Sequence, residues 1–414
     1  MPPSEPLRAP GQTFLNRGIL LLLVLLALAS TAIGVRNAMQ RSQDFQWSGA
    51  RLLDQHTDPW AVYLSGDPGH RLIGQQIPNY LPVLYLLLAP LGLLPAPSAN
   101  LAWAICNVLL ALGCGWLTAR FYGLRGRGVT TVICLFLAAT PTRMTIGNGQ
   151  QGLLILFLWC LALFAVPKSG PMSGSRAALA GISYAKFSFA PPVFLYLLFR
   201  RGPSAALMSL VPIAGGAILV WLWLAGPHSA ATLLQVLGEP FQVARTGFRP
   251  LATDENLMNL VQSVLPPWPE PTRTALALGF SLGACAVGSY CACWRYRHAS
   301  LQWQLSLMAT MSFALFNHHA YDAVVLLLPF AYSLRFWRDA QAQVVLALLG
   351  YLFYLQRAVE SVHLHRRWMT WAEFAMLAGV FALTLRLQEL EPDFAERPFE
   401  PERPVFEEDV SVAS

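Results

Sequence analysis

Charge is scarce in this 414-residue chain: 12% of its residues are Asp, Glu, Lys or Arg, while 55% are hydrophobic. Soluble domains carry about 25% charged residues, and a soluble fold of this size could not hide so much apolar surface. A soluble enzyme, a DNA-binding protein and a secreted scaffold are therefore excluded. Lysine is nearly missing: only Lys168 and Lys186 occur, and the arginines are spread a few at a time between apolar runs. The net charge of +6 is thus no nucleic-acid footprint. The seven cysteines build no disulfide framework. Cys106, Cys114, Cys134, Cys160 and Cys285 lie inside apolar runs. Cys291 and Cys293 end another run, with no matching pair elsewhere to complete a metal site, and read as packing residues. The short alternating segments of a porin-type barrel are absent as well.

What is present is a series of continuous apolar runs, the mark of an all-α, polytopic membrane protein. The first run, 18–35, follows Arg8 and Arg17 and has no small-residue cleavage site, so it reads as an uncleaved span with its N-terminus in the cytoplasm. Segment 80–94 is short and carries Pro82 and Pro90. A span needs about 20 apolar residues, so this one reads as interfacial or re-entrant. Further spans are expected at 98–121, 128–146, 152–167, 177–188, 189–199, 205–226, 275–294, 301–316, 321–334, 341–356 and 369–385, about twelve with the first. The turns holding Arg120/Arg125/Arg127, Lys168/Arg176, Arg200/Arg201, Arg295/Arg297 and Arg335/Arg338 then all face the cytoplasm, as the positive-inside rule prefers. The pair 177–188 and 189–199 is too short for two ordinary spans and suits a broken hairpin entering a cavity. Residues 1–386 form the membrane domain. Residues 387–414, with nine acids, two arginines and four prolines, read as a disordered cytoplasmic tail.

Outside that tail, the topology leaves only Glu5 and Asp339 among the acids on the inner side. The outer side also holds two long loops, 36–78 and 227–274, and chemistry concentrates where a rigid scaffold positions irregular chain. The active face is therefore expected to be external. Asp44, in Ser42-Gln43-Asp44-Phe45, follows the first span. A carboxylate at an apolar boundary has a raised pKa and can act as a general base; the same residue equally fits a helix N-cap for the segment starting at Phe45. Asp58-Pro59-Trp60 reads as a turn with an interfacial aromatic. Arg143 precedes Gly147-Asn148-Gly149-Gln150-Gln151, which suits either a plain glycine turn or a tight loop that aims Gln150 into a polar cavity.

Lys186 lies inside the apolar stretch 177–199. Ionisable groups in such places are costly and are functional candidates. An ammonium facing a cavity suits a phosphate; one that snorkels reaches the outer headgroups. His318 and His319, in Phe316-Asn317-His318-His319-Ala320-Tyr321-Asp322, are adjacent and point different ways on a helix, so they do not share a metal. At least one can bond a phosphate or sugar, or both cap and touch headgroups. Glu239, Asp254 and Glu255 read as solvated, and Asn256 either caps the apolar helix behind it or binds sugar.

The order of these features is distinctive: a span, external Asp44, an amphipathic loop, Tyr80-Leu81-Pro82 with Pro90-Leu91, external Gly149-Gln150, intramembrane Lys186 with Pro191, then Asn256-Leu257 and His318-His319. Across roughly 15–385 it resembles the polyprenyl-phosphate-sugar-dependent glycosyltransferases of family 87, which have a GT-C-type membrane fold. Trp60 stands where that family commonly has tyrosine, Gln151 follows Gln150 where a small or apolar residue is usual, and Pro191 comes five residues after Lys186 rather than directly. The resemblance implies transfer of a sugar, mannose first among candidates, from a polyprenyl phosphate to a lipid or glycan acceptor on the outer face of a bacterial cytoplasmic membrane. It implies Asp44 as the base, Lys186, Arg143, His318 and His319 around the donor phosphate, and Gln150, Asp58, Tyr80 and Asn256 as substrate-binding residues. A phosphate leaving group needs no strong acid, so one base and nearby cations suffice for an inverting displacement. No Asp-x-Asp cluster occurs in the loops, so neither a metal nor another cofactor is expected, and the partners are donor, acceptor and membrane lipid rather than nucleic acid. The competing reading is a transporter or flippase of lipid-linked sugars. That function calls for midplane polar residues reachable from both sides, and commonly for internal repeats; the inner side here offers arginine turns, and no repeat is visible.

Overall fold

The computed structural model describes residues 17–41, 44–73, 76–164, 172–247, 256–361 and 366–387, and among them every regular element is helical. Helix α1 (Arg17–Arg41) leads by a short corner to α2 (Trp47–Asp54) and α3 (Pro59–Leu64), then to α4 (Pro82–Gly92) and α5 (Ala96–Phe121). The middle of the chain forms α6 (Arg127–Ala138), α7 (Thr140–Asn148), α8 (Gly152–Leu163), α9 (Gly174–Ile182), α10 (Ala190–Tyr196) and α11 (Pro203–Trp223). After these come α12 (Ala230–Gly247), α13 (Leu257–Val264), α14 (Glu270–Tyr290), α15 (Leu301–Leu315), α16 (Leu327–Arg335), α17 (Ala340–Gly350), α18 (Gln356–Ser361) and α19 (Arg366–Leu387).

Among the described residues, five helical stretches are long and apolar enough to cross a membrane: Arg17–Gln40, Ala96–Phe121, Pro203–Trp223, Glu270–Arg295 and Ala340–Val359. A sixth is reached if α6 and α7, bent by 57° at their junction, count as one. The bend falls at Thr140-Pro141, where proline removes a backbone donor. The continuous run expected at 128–146 is therefore a broken one. Along α1 the leucines at 21, 22, 25 and 28 stay exposed, as a lipid-facing surface requires. Helix α4, at 11 residues, rises about 16 Å, roughly half of a ~30 Å hydrocarbon core.

Glycine sets how closely these helices approach. On α1, Gly34 lies against α7, where an added Cβ would sit 3.2 Å from the Arg143 carbonyl, and Gly147 on α7 would bring a Cβ 3.0 Å from that of Asn37. Gly181 of α9 presses on the Ser209 carbonyl of α11 so closely that no Cβ fits. Gly216 of α11 abuts Val83 of α4, with 2.9 Å to its Cβ. These contacts draw α4, α9 and α11 together beside the chain that carries Lys186. A second, smaller core of Phe45, Trp60, Tyr80, Leu84, Tyr85, Trp103 and Ala185 seats the corner after α1 on the same region. Its aromatics are ordered: Phe45 stacks on Trp103 (5.9 Å, 10°), and Trp60 meets Tyr85 edge-on (5.2 Å, 89°). Trp60 is thus a core residue rather than an interfacial one. Asp58 caps α3, with Pro59 at the first helical position, and this start turns the indole inward.

Two adjacent glycines test this packing. Gly215 has nothing within 4 Å of its would-be Cβ, whereas Gly216 meets Val83. Gly215→Ala should leave thermal unfolding in detergent unchanged or raise it slightly, since alanine favours helix by up to ~1 kcal/mol. Gly216→Ala should destabilise by about 1–3 kcal/mol, and Gly181→Ala by at least as much. Equal midpoints for the 215 and 216 variants would contradict the close crossing.

Candidate functional site

Two polar groups meet where the small core joins the main one. The first is built on the end of α7. Gly149 adopts a left-handed conformation (φ 71°), which glycine accepts without strain. Its N–H donates to the Ile146 carbonyl (3.3 Å), and the Gln150 N–H donates to that of Thr145 (3.0 Å), the paired bonds of a Schellman stop. The Trp103 indole N–H holds the Gly149 carbonyl at 2.8 Å. Gln150 is thereby fixed and buried. Its Oε1 accepts from the Tyr80 hydroxyl at 3.0 Å, and its side chain also hydrogen-bonds Asp44. With Oε1 taken, the amide N–H is the group that serves the carboxylate. Tyr80 is itself held: its carbonyl accepts from Trp60 Nε1 (3.2 Å), and the next residue, Leu81, donates to the Ala185 carbonyl (3.0 Å).

Asp44 is half-buried and caps no helix; Gln46 occupies the N-cap position of α2. Burial pushes the Asp44 carboxyl above the usual aspartate value. The Gln150 bond and the charges of His319 and Lys186 pull it partly back, while Asp322 adds to the rise. A carboxylate in this setting is a stronger base than a solvated one.

The second group sits at a break in the chain. After α9, two 3-10 turns, Ser183–Ala185 and Phe187–Phe189, flank Lys186 in extended conformation (φ −102°, ψ 96°) before α10 begins. The Lys186 ammonium donates to both oxygens of Asp322, at 2.7 and 2.6 Å. Asp322 is fully buried, and 14% of the Lys186 side chain is exposed. Asp322 Oδ2 also meets His318 Nδ1 and the His319 backbone N–H, both at 3.3 Å. His318 is wedged between Phe189 and Phe313 (4.2 and 5.7 Å), and burial favours its neutral form. Thr145 of α7 donates to the Tyr321 carbonyl at 2.8 Å, so one short helix carries Gln150 and braces the Asp322 segment.

Asp44, Tyr80, Gln150, Lys186, His318 and His319 are thus brought together, while three other candidates have partners of their own. Arg143 meets Thr140 Oγ1 on its own helix (3.3 Å). Asn256 caps α13, accepting from the Asn259 N–H at 3.0 Å. Asp58 accepts from Trp60 N and Ala61 N (2.9 and 3.0 Å) and faces Glu239. Glu239 is not solvated: α12 buries it to 4% exposure, and burial, with Asp58 alongside, pushes its carboxyl up to about 7. Asp254 and Glu255 lie outside the described residues. Sequence reading missed Asp322. Its signal was an acid inside an apolar run, opposite in sign to the intramembrane lysine, which needs a partner. No group of three or more metal-ligating side chains occurs among the described residues.

The fold is that of a helical membrane protein with a carboxylate, an amide and an ammonium gathered at one buried place. The sequence model of glycosyltransferase family 87 matches residues 79–317, more than half of the chain. The chain belongs to that family and is a glycosyltransferase. No curated protein and no solved structure shows a significant match to it. The matched region contains Tyr80, Arg143, Gln150, Lys186 and Asn256, while Asp44 precedes it and His318 is the first residue beyond it.

The Gln150–Asp44 bond carries a pH prediction. It stabilises the ionised carboxylate, so its loss raises the Asp44 pKa further. With Asp44 as the base of sugar transfer, the role proposed below, Gln150→Leu should move the acid limb of kcat/KM to higher pH. A limb that stays in place, or moves lower, would contradict the bond's assigned effect.

Proposed function

We propose that this glycosyltransferase moves a sugar, mannose being the leading candidate, from a polyprenyl phosphate to a lipid or glycan acceptor by a single inverting displacement. Asp44 takes the proton of the acceptor hydroxyl as its oxygen attacks the anomeric carbon. Gln150 orients the carboxylate and Tyr80 holds Gln150, so both line the acceptor's approach. Lys186 meets the donor's phosphate, where negative charge grows as the glycosidic bond breaks, and this interaction strengthens toward the transition state. His319, whose charge Asp44 feels, is a better-supported second contact than Arg143. Asp58 and Asn256 already spend side-chain oxygens on helix N-termini.

In the same reading the chain spans a bacterial cytoplasmic membrane about twelve times within residues 1–386, with the acidic tail 387–414 inside and the reaction on the outer face. The shortness of α4 supports a segment that re-enters from the outer side instead of crossing. Broken helices at Thr140 and Lys186 are compatible with a polar cavity, because irregular backbone at membrane depth needs protein or water around it.

One observation carries the proposal: a half-buried Asp44 with a raised pKa, hydrogen-bonded by Gln150 and within electrostatic reach of Lys186. Purified protein given radiolabelled polyprenyl-phosphate mannose and a membrane lipid extract should label a lipid or glycan product. Asp44→Asn keeps the size but cannot take the proton, and should slow transfer about 10²–10⁴-fold with the thermal midpoint and donor binding little changed. Near-normal turnover by the folded variant would remove Asp44 as the base.

A further inference from the structure

The ion pair at the helix break has unequal halves. Asp322 is closed: fully buried, it takes Lys186 on both oxygens and His318 and His319 on Oδ2. Lys186 is open. An ammonium carries three donors, Asp322 occupies two, and part of the side chain stays exposed. The rings of Phe189 and Tyr321 stand 5.7 and 5.2 Å from its nitrogen, and Asp44 senses both charges of the pair.

The proposed displacement moves charge across this site. The acceptor O–H bond breaks and its proton goes to Asp44. The acceptor oxygen bonds the anomeric carbon, and the bond from that carbon to the phosphate oxygen breaks, leaving its electron pair on the phosphate. A phosphodiester of one negative charge becomes a monoester of about −1.5 to −2 at neutral pH, while Asp44 becomes neutral. An unopposed ammonium would therefore hold the product more tightly than the donor, and release would limit turnover. A carboxylate already bonded to that ammonium opposes the extra charge.

We infer that Asp322 is a positioning residue for this reaction: it holds the Lys186 ammonium at the helix break and competes with the phosphate for it, so that the spent polyprenyl phosphate is let go. The inference rests on the proposed polyprenyl-phosphate donor. Asp322 touches neither substrate; it acts through Lys186.

The test uses two soluble probes with the full chain in nanodiscs: farnesyl phosphate, a monoester, and methyl farnesyl phosphate, a diester. In the wild-type protein the two should bind within about threefold of each other. In Asp322→Asn the monoester should bind about tenfold or more tightly than in wild type, because a like charge beside it is gone. Turnover should fall and become sensitive to inhibition by farnesyl phosphate. Asp322→Glu, which keeps the charge, should retain the wild-type affinity for the monoester. A purely structural role would weaken both probes together in Asp322→Asn, and that result would overturn the inference. Should the Asn variant fail to fold, the wild-type ratio decides alone: a tenfold or greater preference for the monoester would overturn it. A wild-type protein that binds neither probe would sink the polyprenyl-phosphate reading, and this inference with it. Binding of both, with the ratio unchanged in Asp322→Asn, would overturn the inference alone.

Discussion

An ammonium inside an apolar protein needs an opposite charge, and the Lys186–Asp322 pair is the interaction around which this site is arranged. Removing two ions from water costs several kcal/mol per ion, offset only when the geometry is good and the remaining hydrogen-bonding capacity is met. Asp322 meets that condition with four donor contacts, two from Lys186 and one each from His318 and His319. The backbone accommodates the pair by breaking: α9 ends, two 3-10 turns flank Lys186, and α10 begins again at a pair of prolines. The close glycine crossing of α9 on α11 and the bond from Leu81 to the Ala185 carbonyl hold that break in place.

The opposite pole is a carboxylate that burial makes basic. Asp44, the Gln150 amide and the Tyr80 hydroxyl form one hydrogen-bonded chain, and each member is anchored by a separate element: the corner after α1, the end of α7 and the start of α4. Helix α7 connects the two poles, since its stop fixes Gln150 and its Thr145 bonds the segment leading into Asp322. A base and a cation held in one rigid frame is the arrangement that the proposed sugar transfer, with its phosphate leaving group, requires.

Much of this was legible in the sequence. Low charge and continuous apolar runs define an all-helical membrane protein, and Lys186 stands out because an ion in an apolar run must be explained. The order of Asp44, Gly149-Gln150, Lys186 and His318-His319 pointed to family 87, to which the chain belongs. Long-range partners were not legible. Asp322 lies 136 residues from Lys186, and neither local periodicity nor side-chain chemistry reveals such a pairing. The same limit applies to Glu239 and Asp58, read separately as a solvated acid and a turn residue but brought face to face by α12 packing on α3. Trp60 suits an interface in the sequence because tryptophan is enriched at membrane–water boundaries, yet the capped start of α3 turns it into the core.

In the proposed mechanism the acceptor oxygen enters from the Asp44 side as the phosphate departs toward Lys186. That displacement inverts the anomeric centre. The most direct measurement is therefore the anomeric configuration of the transferred sugar, read by NMR from a reaction of the purified protein with a polyprenyl-phosphate mannose of known configuration. Inversion is the result this account predicts. Retention would mean a covalent sugar–protein intermediate or a different site, and would contradict it.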